Sequence, residues 1–349
     1  MRNELNRAVE AVSKPYVHLI QETAESYINV LKSFTEKAPD TWEKAERWIL
    51  DRMTPMLIKQ DVIYLHQITA DHLENWRTDW EEDYGVESAS TNQKVTGILS
   101  SFFLYGLRKK WITWNPCTDL EKIKPGKSKP RWFSLEQWKV LLNSANEVYT
   151  TKAGRSPEQA AVTRARVHAF INLSIGCGPR IGDAATMRKD SLRRRSDGKW
   201  ILHFFAQKPQ AWCTVPVEEW LAQELQALPP EANTHKDYFF WTGLGTAETA
   251  AKDWHAKPKP VFEHAALMEN NESKHCNPHM FRHSFAVLNL EAGVGLEHVS
   301  RAMGHASVKI TERVYAHWCK GREDILCENF ETSWKRRAQL DGVSELNVT

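Results

Sequence analysis

Apolar residues recur three and four positions apart over most of the first third of the chain, in groups that begin at Tyr27, Ala45 and Val95. This period is typical of amphipathic helices that bury one face. The pattern predicts a small all-helical unit over residues 26–118, preceded by a short N-terminal segment at residues 1–25.

Residues that favour helix starts mark where these helices are expected to begin. Thr41, Thr69 and Ser90 carry side-chain oxygens that can accept hydrogen bonds from the first helical turn. Ala38-Pro39-Asp40 is expected to separate the first helix from the second, because proline and its neighbours break helical runs.

A basic stretch with prolines and a glycine follows, and it predicts an extended linker over residues 119–131. The sequence EKIKPGKSKPR at 121–131 carries five positive charges against one negative charge. Two interpretations remain open. The linker is either a solvated hinge or a segment that lies along the phosphates of a nucleic acid.

Residues 132–332 mix helical and strand patterns and predict a second domain. Ser134 and Gln137 form a capping-box pattern. Two runs rich in aromatic and β-branched residues predict a β-hairpin; they are residues 200–205 and 212–217. Helices are predicted at residues 134–147, 159–176, 218–227, 279–292, 296–303 and 307–316, with a polar tail at 333–349. The expected fold class is mainly α with a small antiparallel β-sheet (α+β).

Composition and charge narrow the class of protein. A length of 349 residues suits two domains. The 46 Lys and Arg residues nearly balance the 44 Asp and Glu residues, so nucleic-acid binding has to be argued from local charge. No apolar run of about 18 residues is present, so no membrane partner is expected. The six cysteines lack C-x-x-C spacing, which favours reduced thiols in a cytoplasmic protein.

His279 and Arg282 lie three residues apart in a predicted helix and therefore share one face. A solvated surface pair is the alternative to a functional site. A zinc site is a second alternative, because four possible ligands lie within nine residues: His275, Cys276, His279 and His283. Pro278 interrupts that spacing and no second ligand pair lies elsewhere, so no metal is expected.

Further candidate residues each have an ordinary structural alternative. His305 follows Gly304 just past a predicted helix, where it either points into a cleft or interacts with the helix dipole. Arg180 and Asp183 lie three residues apart and could form only a surface salt bridge. Lys208 lies at the predicted hairpin tip, and Tyr315 could be a core residue.

Taken together, these residue types suit cleavage of a phosphodiester without a metal ion. Two guanidinium groups can bind the non-bridging oxygens of a phosphate and so replace a divalent cation. A tyrosine can act as the covalent nucleophile, and a lysine or histidine can protonate the departing sugar oxygen.

The order and spacing of these residues resemble the tyrosine recombinase (phage integrase) family. The resemblance rests on Gly178-Pro179-Arg180, Lys208, His279 with Arg282, Gly304-His305 and Tyr315, and it covers residues 132–325. The block HMFRHSFAVLNLEAGVGLEHVSRAMGHASVKITERVYAHW at 279–318 is highly specific. Residues 26–118 resemble the family's helical, SAM-like core-binding domain only in being a small helical unit. The resemblance implies that residues 132–332 are the catalytic domain.

The resemblance implies a role for each matching residue. Tyr315 would attack the phosphate and form a 3′-phosphotyrosyl bond, and Lys208 would be the general acid. Arg180 and Arg282 would bind the non-bridging oxygens. His279 would assist proton transfer from the tyrosine, His305 would hydrogen-bond the phosphate, and Asp183 would orient the site. The phosphotyrosyl bond stores the energy of the broken bond, so no ATP or other cofactor is expected.

The resemblance also implies double-stranded DNA as the partner, bound mainly through its phosphates between two domains that close like a clamp. The candidate DNA-binding residues are Lys122, Lys124, Lys127, Lys129, Arg131, Arg193, Arg194, Arg195, Asn92 and Lys94. A homotetramer on two DNA sites is expected, in the cytoplasm and associated with the nucleoid. An accessory DNA-bending or directionality protein is a further possible partner.

Three functions remain in view. The leading one is a site-specific recombinase (integrase) of a phage or other mobile element. A type IB topoisomerase would share the nucleophile and the arginine pair but would relax DNA without choosing a site. A DNA-binding relic would occupy its sites without cutting, and the complete set of candidate residues argues against it.

Overall fold

The computed structural model describes residues 17–34, 39–86, 88–123, 130–150, 156–229, 235–266, 276–316 and 322–338. The chain divides into two compact units, Met1–Ser128 and Lys129–Thr349. The division falls inside the predicted linker.

The described part of the first unit is helical. Its α-helices are α1 (Ile20–Phe34), α2 (Pro39–Trp48), α3 (Thr54–Lys59), α4 (Ala70–Thr78), α5 (Trp80–Tyr84) and α6 (Ala89–Arg108). A π-helical turn, Ile49–Met53, joins α2 to α3, and short 3₁₀ turns form at Leu65–Gln67 and Pro116–Thr118.

Aromatic rings form much of the core of the first unit. The ring of Trp80 lies 5.2 Å from that of Trp48 and 5.1 Å from that of Trp76, and all three side chains are buried. Tilted and edge-on ring pairs of this kind add to the stability that the burial of their apolar area already provides. Arg52 covers the Trp48 ring at 4.2 Å and shields the cluster at its rim.

The helix starts in this unit correct three predictions and confirm a fourth. The helix α1 begins at Ile20, six residues before the predicted start of the unit, and Ile20 and Ala24 are buried in the same core. Thr41 lies inside α2, which begins at Pro39, and Ser88 caps α6 in place of Ser90. Thr69 caps α4 as predicted.

The second unit combines helices with one small sheet. Its described elements are α7 (Leu135–Val148), α8 (Pro157–Cys177), α9 (Ile181–Ala185), β1 (Leu192–Arg194), β2 (Trp200–Ala206), β3 (Ala211–Val217), α10 (Glu219–Gln226), α11 (Ala247–Ala256), α12 (Lys259–Ala265), α13 (His279–Glu291), α14 (Leu296–Ala302), α15 (Val308–Tyr315) and α16 (Arg322–Ala338). A 3₁₀ turn at Lys189–Ser191 leads into β1.

The three strands form an antiparallel sheet in the order β1-β2-β3. The hairpin confirms the prediction and pairs Trp200 with Val217 at one end and Ala206 with Ala211 at the other. Leu202, Phe204, Cys213 and Val215 point into the core on one face, as the alternation of a half-buried sheet requires.

Other sequence predictions for this unit had mixed outcomes. The Ser134–Gln137 capping box opens α7 as expected. The strand β1 and the helices α11 and α12 were not predicted. The helix α16 continues through Ala338 and so covers residues 333–338 of the predicted polar tail.

Candidate active site

Arg180 reaches the site because α8 ends abruptly. Gly178 caps that helix in the left-handed conformation, at φ 66° and ψ 25°. A Cβ at this position would lie 2.3 Å from the ring of Phe285, so a side chain there is excluded by space as well as by backbone conformation. Arg180 follows as the N-cap residue of α9 and is partly buried.

Arg282, on the first turn of α13, is held by backbone carbonyls. It is only 4% exposed. Its Nη1 donates to the Gly178 carbonyl and its Nη2 to the Met303 carbonyl, both at 2.6 Å. Burial and the nearby Arg180 lower the pKa of Arg282 to about 10, so the group stays charged at neutral pH.

His305 stands beside Arg282 at the end of α14. Gly304 turns the chain at φ 61°, and a Cβ there would lie 2.6 Å from the Cys213 sulfur. The Arg282 Nη2 donates to His305 Nε2 at 3.1 Å. Because a guanidinium can only donate, Nε2 must accept, and the ring proton stays on Nδ1 for donation to the Thr311 hydroxyl at 2.7 Å.

The charge state of His305 follows from this packing. Burial, Arg282, Arg180 and His279 lower its pKa to about 4, so the ring is neutral at neutral pH. The predicted hydrogen bond from His305 to a phosphate requires a proton on Nε2. The ring must therefore change tautomer or gain a proton when an anion binds.

Asp183 connects the arginine pair to the hairpin. Its Oδ1 accepts a hydrogen bond from the Gln207 backbone N–H at 3.1 Å. Burial raises the pKa of this carboxyl, while Arg180 and Arg282 act in the opposite direction. Lys208, the next residue after Gln207, is exposed at the tip of the hairpin, as predicted from its place between the strands.

Tyr315 is the last residue of α15 and is 2% exposed. Its hydroxyl lies 2.5 Å from Nδ1 of His283. Burial raises the pKa of Tyr315 to about 12, against an opposing effect of Arg282, so the phenol keeps its proton at neutral pH.

The contact of His283 with Tyr315 was not predicted from the sequence, which indicated His283 only as a possible zinc ligand. The signal was its spacing, because positions four apart on a helix share a face and His283 lies four residues after His279. The two rings stand edge to face with centroids 4.7 Å apart. Burial, Arg282, Arg180 and Lys208 lower the pKa of His279, so this ring lies in the electrostatic field of the three cations.

The second unit thus brings together the residues predicted from its sequence. Direct hydrogen bonds join Arg282 to His305, and Arg180 shares the Met303 carbonyl with Arg282 at 3.5 Å. His279 and Lys208 lie within electrostatic range of that pair. Here buried and half-buried cations lie close together and are not matched by an equal number of carboxylates. Such an arrangement attracts an anion.

The predicted DNA-binding residues of the second unit lie on its surface. Arg131 and the run from Arg193 to Arg195 are exposed. Arg194 lies 3.4 Å from Glu219, and Arg195 lies 3.2 Å from Asp197. These carboxylates reduce the positive charge that the two arginines offer to DNA, whereas Arg193 donates only to the Asp190 carbonyl among its hydrogen bonds in the described region.

In the first unit, Asn92 and Lys94 lie near the start of α6, with Lys94 exposed. Asn92, Gln93 and Lys122 line one cleft of about 420 Å³ together with Arg77. The structure therefore places two of the predicted DNA-binding residues, Asn92 and Lys122, at a common surface. Lys124, Lys127 and Lys129 lie outside the described residues.

The described parts of the chain contain no group of three or more His, Cys, Asp or Glu side chains placed to hold a metal ion. No helix within these ranges is long and apolar enough to cross a membrane.

Comparisons with known proteins agree with this geometry. The family model described as "Phage integrase family" matches residues 136–322. The tyrosine recombinase XerD of Pseudomonas putida is 24% identical over 251 residues, which cover 70% of this chain and 76% of the relative.

Solved structures show the same fold. The XerH site-specific recombinase bound to a palindromic difH substrate, in a post-cleavage complex, matches with a TM-score of 0.56 and 20% identity, over 76% of this chain and 74% of that one. A lambda integrase tetramer bound to a Holliday junction matches with a TM-score of 0.60 and 13% identity, over 88% of this chain and 80% of that one.

Proposed function

The chain belongs to the phage integrase family, and from that premise we propose that it is a tyrosine-type site-specific DNA recombinase. It cuts and rejoins double-stranded DNA through a 3′-phosphotyrosyl intermediate, with neither a metal ion nor ATP. The observation that carries this proposal is the convergence of Arg180, Arg282 and His305 in the unit that also holds Tyr315.

The arginine pair would bind the scissile phosphate. Arg282 is already oriented by two carbonyls, so little freedom is lost when its remaining N–H groups meet an anion. Charge that develops on the non-bridging oxygens during cleavage would be stabilised by both guanidinium groups in a partly buried site. This electrostatic stabilisation supplies what a divalent cation supplies in other phosphoryl-transfer enzymes.

Cleavage would proceed by transesterification. The Tyr315 oxygen attacks phosphorus, the bond to the 5′ oxygen breaks, and Lys208 gives that oxygen a proton. The exposed position of Lys208 at the hairpin tip allows it to reach DNA that approaches the site. Rejoining is the same reaction in reverse, with the 5′-hydroxyl of a new strand as the nucleophile.

Recombination between two sites would require several copies of the chain, and we propose a homotetramer on two DNA sites. The relative named above in complex with a Holliday junction is a tetramer. In this chain, Phe330 and Trp334 lie four residues apart on α16 and are 59% and 63% exposed. They provide an apolar stripe on which a neighbouring copy could dock. An accessory DNA-bending or directionality protein is proposed as a further partner.

We further propose that the protein acts in the cytoplasm in association with the nucleoid, and that it is the recombinase of a phage or other mobile element. The candidate DNA-binding residues would contact phosphates of the duplex around the cut site. Lys94, Lys122 and Arg193 are exposed members of this set, and Arg193 donates to the Asp190 carbonyl.

Covalent trapping tests this function. The protein is expressed beside its own flanking genomic DNA, quenched with detergent in EDTA, and the attached DNA is sequenced. We expect adducts at one repeated sequence that are lost in Tyr315→Phe while DNA binding remains. Adducts scattered over the genome would instead indicate a topoisomerase, and tight DNA binding without any adduct would indicate a non-cutting relic.

A further inference from the structure

The nucleophile proposed above already has a proton acceptor in contact with it. The Tyr315 hydroxyl and His283 Nδ1 are 2.5 Å apart, a short hydrogen-bond distance for this pair. His283 lies on α13, one residue after the buried Arg282, so the helix that orients the phosphate-binding guanidinium also orients this ring. The contact is formed without DNA.

The hydrogen bond has a defined direction. Burial, His279 and Arg282 lower the pKa of His283 to about 4, so its ring is neutral at neutral pH. Burial raises the pKa of the Tyr315 phenol, which therefore carries its proton. The phenol donates to Nδ1, and the ring proton is on Nε2.

His279 and His283 have different neighbours in the site. His279 lies in the field of Arg282, Arg180 and Lys208, which are the cations that would surround a bound phosphate. His283 has its Nδ1 on the phenol and stands edge-on to His279, with centroids 4.7 Å apart. His283 is thus a histidine in hydrogen-bond contact with the phenol, whereas His279 lies in the field of the cations that would bind the phosphate.

We propose that His283 takes the proton of Tyr315 when the tyrosine attacks DNA and returns it when the strand is rejoined. This inference rests on the proposed recombinase function. In cleavage, the bond from the Tyr315 oxygen to phosphorus forms while the phenol O–H bond breaks toward Nδ1. The bond between phosphorus and the 5′ oxygen breaks with its electron pair on that oxygen, which receives a proton from Lys208. Rejoining reverses each transfer.

The basicities of the two groups explain why the phenol stays intact without DNA. A pKa of about 12 for Tyr315 against about 4 for His283 keeps the proton on the phenol in the free protein. Bonding of the phenol oxygen to phosphorus weakens its hold on the proton, and a bound phosphate favours a positive charge on the imidazole. Proton transfer then becomes coupled to attack.

A substrate with sulfur in place of the scissile 5′ oxygen distinguishes the two proton transfers, one from Tyr315 and one to the leaving atom. The probe is a nicked duplex that carries the sequence recovered from wild-type adducts, and the rate of adduct formation is measured with oxygen or sulfur at that position. A thiolate departs without a proton, so sulfur should restore the rate of Lys208→Ala. His283→Asn and His283→Phe should be slower than wild type by about 10²–10⁴-fold on both substrates, the scale of a lost general base.

His283→Asn also separates proton transfer from positioning. Its amide can accept the phenol hydrogen bond but cannot take the proton, so a positioning role predicts that this variant retains the wild-type rate. Our proposal predicts that it is slow, and that added imidazole accelerates His283→Ala. His298→Asn, at an exposed histidine of α14, is the matched control and should keep the wild-type rate.

The outcomes distinguish this inference from the function on which it rests. A His283→Asn rate equal to wild type, or one restored by sulfur, would overturn the role of His283 and leave the recombinase intact. Failure of the wild-type protein to form any adduct would overturn both. DNA affinity and urea unfolding of each variant, measured alongside, identify a rate loss that comes from misfolding. In that case the imidazole rescue of His283→Ala decides, because rescue requires a folded site.

Discussion

Gly178 and Phe285 are in such close contact that the ring of Phe285 occupies the space where a Cβ of residue 178 would be, at 2.3 Å. This contact joins the end of α8 to α13. Arg180 follows the glycine by two residues and Arg282 precedes the phenylalanine by three, so the same contact sets the separation of the two guanidinium groups. We therefore expect phosphate binding by the arginine pair to depend on this packing contact.

Gly178→Ala should destabilise the second unit by about 2–4 kcal/mol, because it adds strain in the left-handed region to an overpacked contact. Urea unfolding measures the loss. Gly182→Ala is the matched control, since its Cβ would meet only Ala251 at 3.9 Å. Equal stabilities of the two variants would show that the contact between Gly178 and Phe285 is looser than described.

Arg282→Lys should form adducts at least about 10²-fold more slowly, although the charge is kept. A lysine ammonium cannot satisfy the Gly178 and Met303 carbonyls and still present two parallel donors to a phosphate. We also expect a loss of about 1–3 kcal/mol in unfolding free energy, because a buried carbonyl is left unpaired. The adduct rate and urea unfolding check the two effects, and a variant as fast as wild type would contradict the account of the arginine pair.

Stability should fall as the pH is lowered below about 6.5. The pKa values of His283 and His305 are about 4 in the folded chain, below the unfolded value of 6.5, so between these limits the unfolded chain binds more protons. The stabilising contribution is fully present above pH 6.5 and is lost as the pH falls through 4.

The charged or titratable groups around these rings are His279 and Arg282 for both of them, with Tyr315 in addition for His283 and Arg180 in addition for His305. The double variant His283→Asn, His305→Asn should therefore lose much of the difference in urea midpoint between pH 7.5 and pH 5. A difference as large as that of wild type would show that other groups carry the pH dependence.

Neutralising Lys122, Lys124 and Lys127 should flatten the slope of log affinity against log salt concentration by roughly three, because each phosphate contact releases about one counterion. Binding isotherms at several salt concentrations check this prediction. An unchanged slope would show that the linker is a solvated hinge that does not contact DNA.

The sequence was sufficient for the parts of the molecule that depend on local signals. The Ser134–Gln137 box and the aromatic and β-branched runs on either side of Lys208 predicted a helix start and a hairpin that the structure confirms. Gly304 does turn the chain beside His305, as its place after a helical run indicated.

Other features depended on contacts between distant segments. The pairing of β1 with β2 is one of these, since a three-residue strand has too few positions to show alternation. The contact between His283 and Tyr315 is another, because it spans 32 residues and two helices. No spacing rule on α13 alone could decide which of its two histidines faces the phenol.

The most direct test of the central claim is to locate the covalent bond. Wild-type adducts are digested with nuclease and trypsin, and the peptides are sequenced by mass spectrometry. The account predicts a nucleotide remnant on the tryptic peptide of residues 314–320, attached to Tyr315 and absent in Tyr315→Phe. A remnant on any other residue, or adducts that persist in Tyr315→Phe, would contradict it.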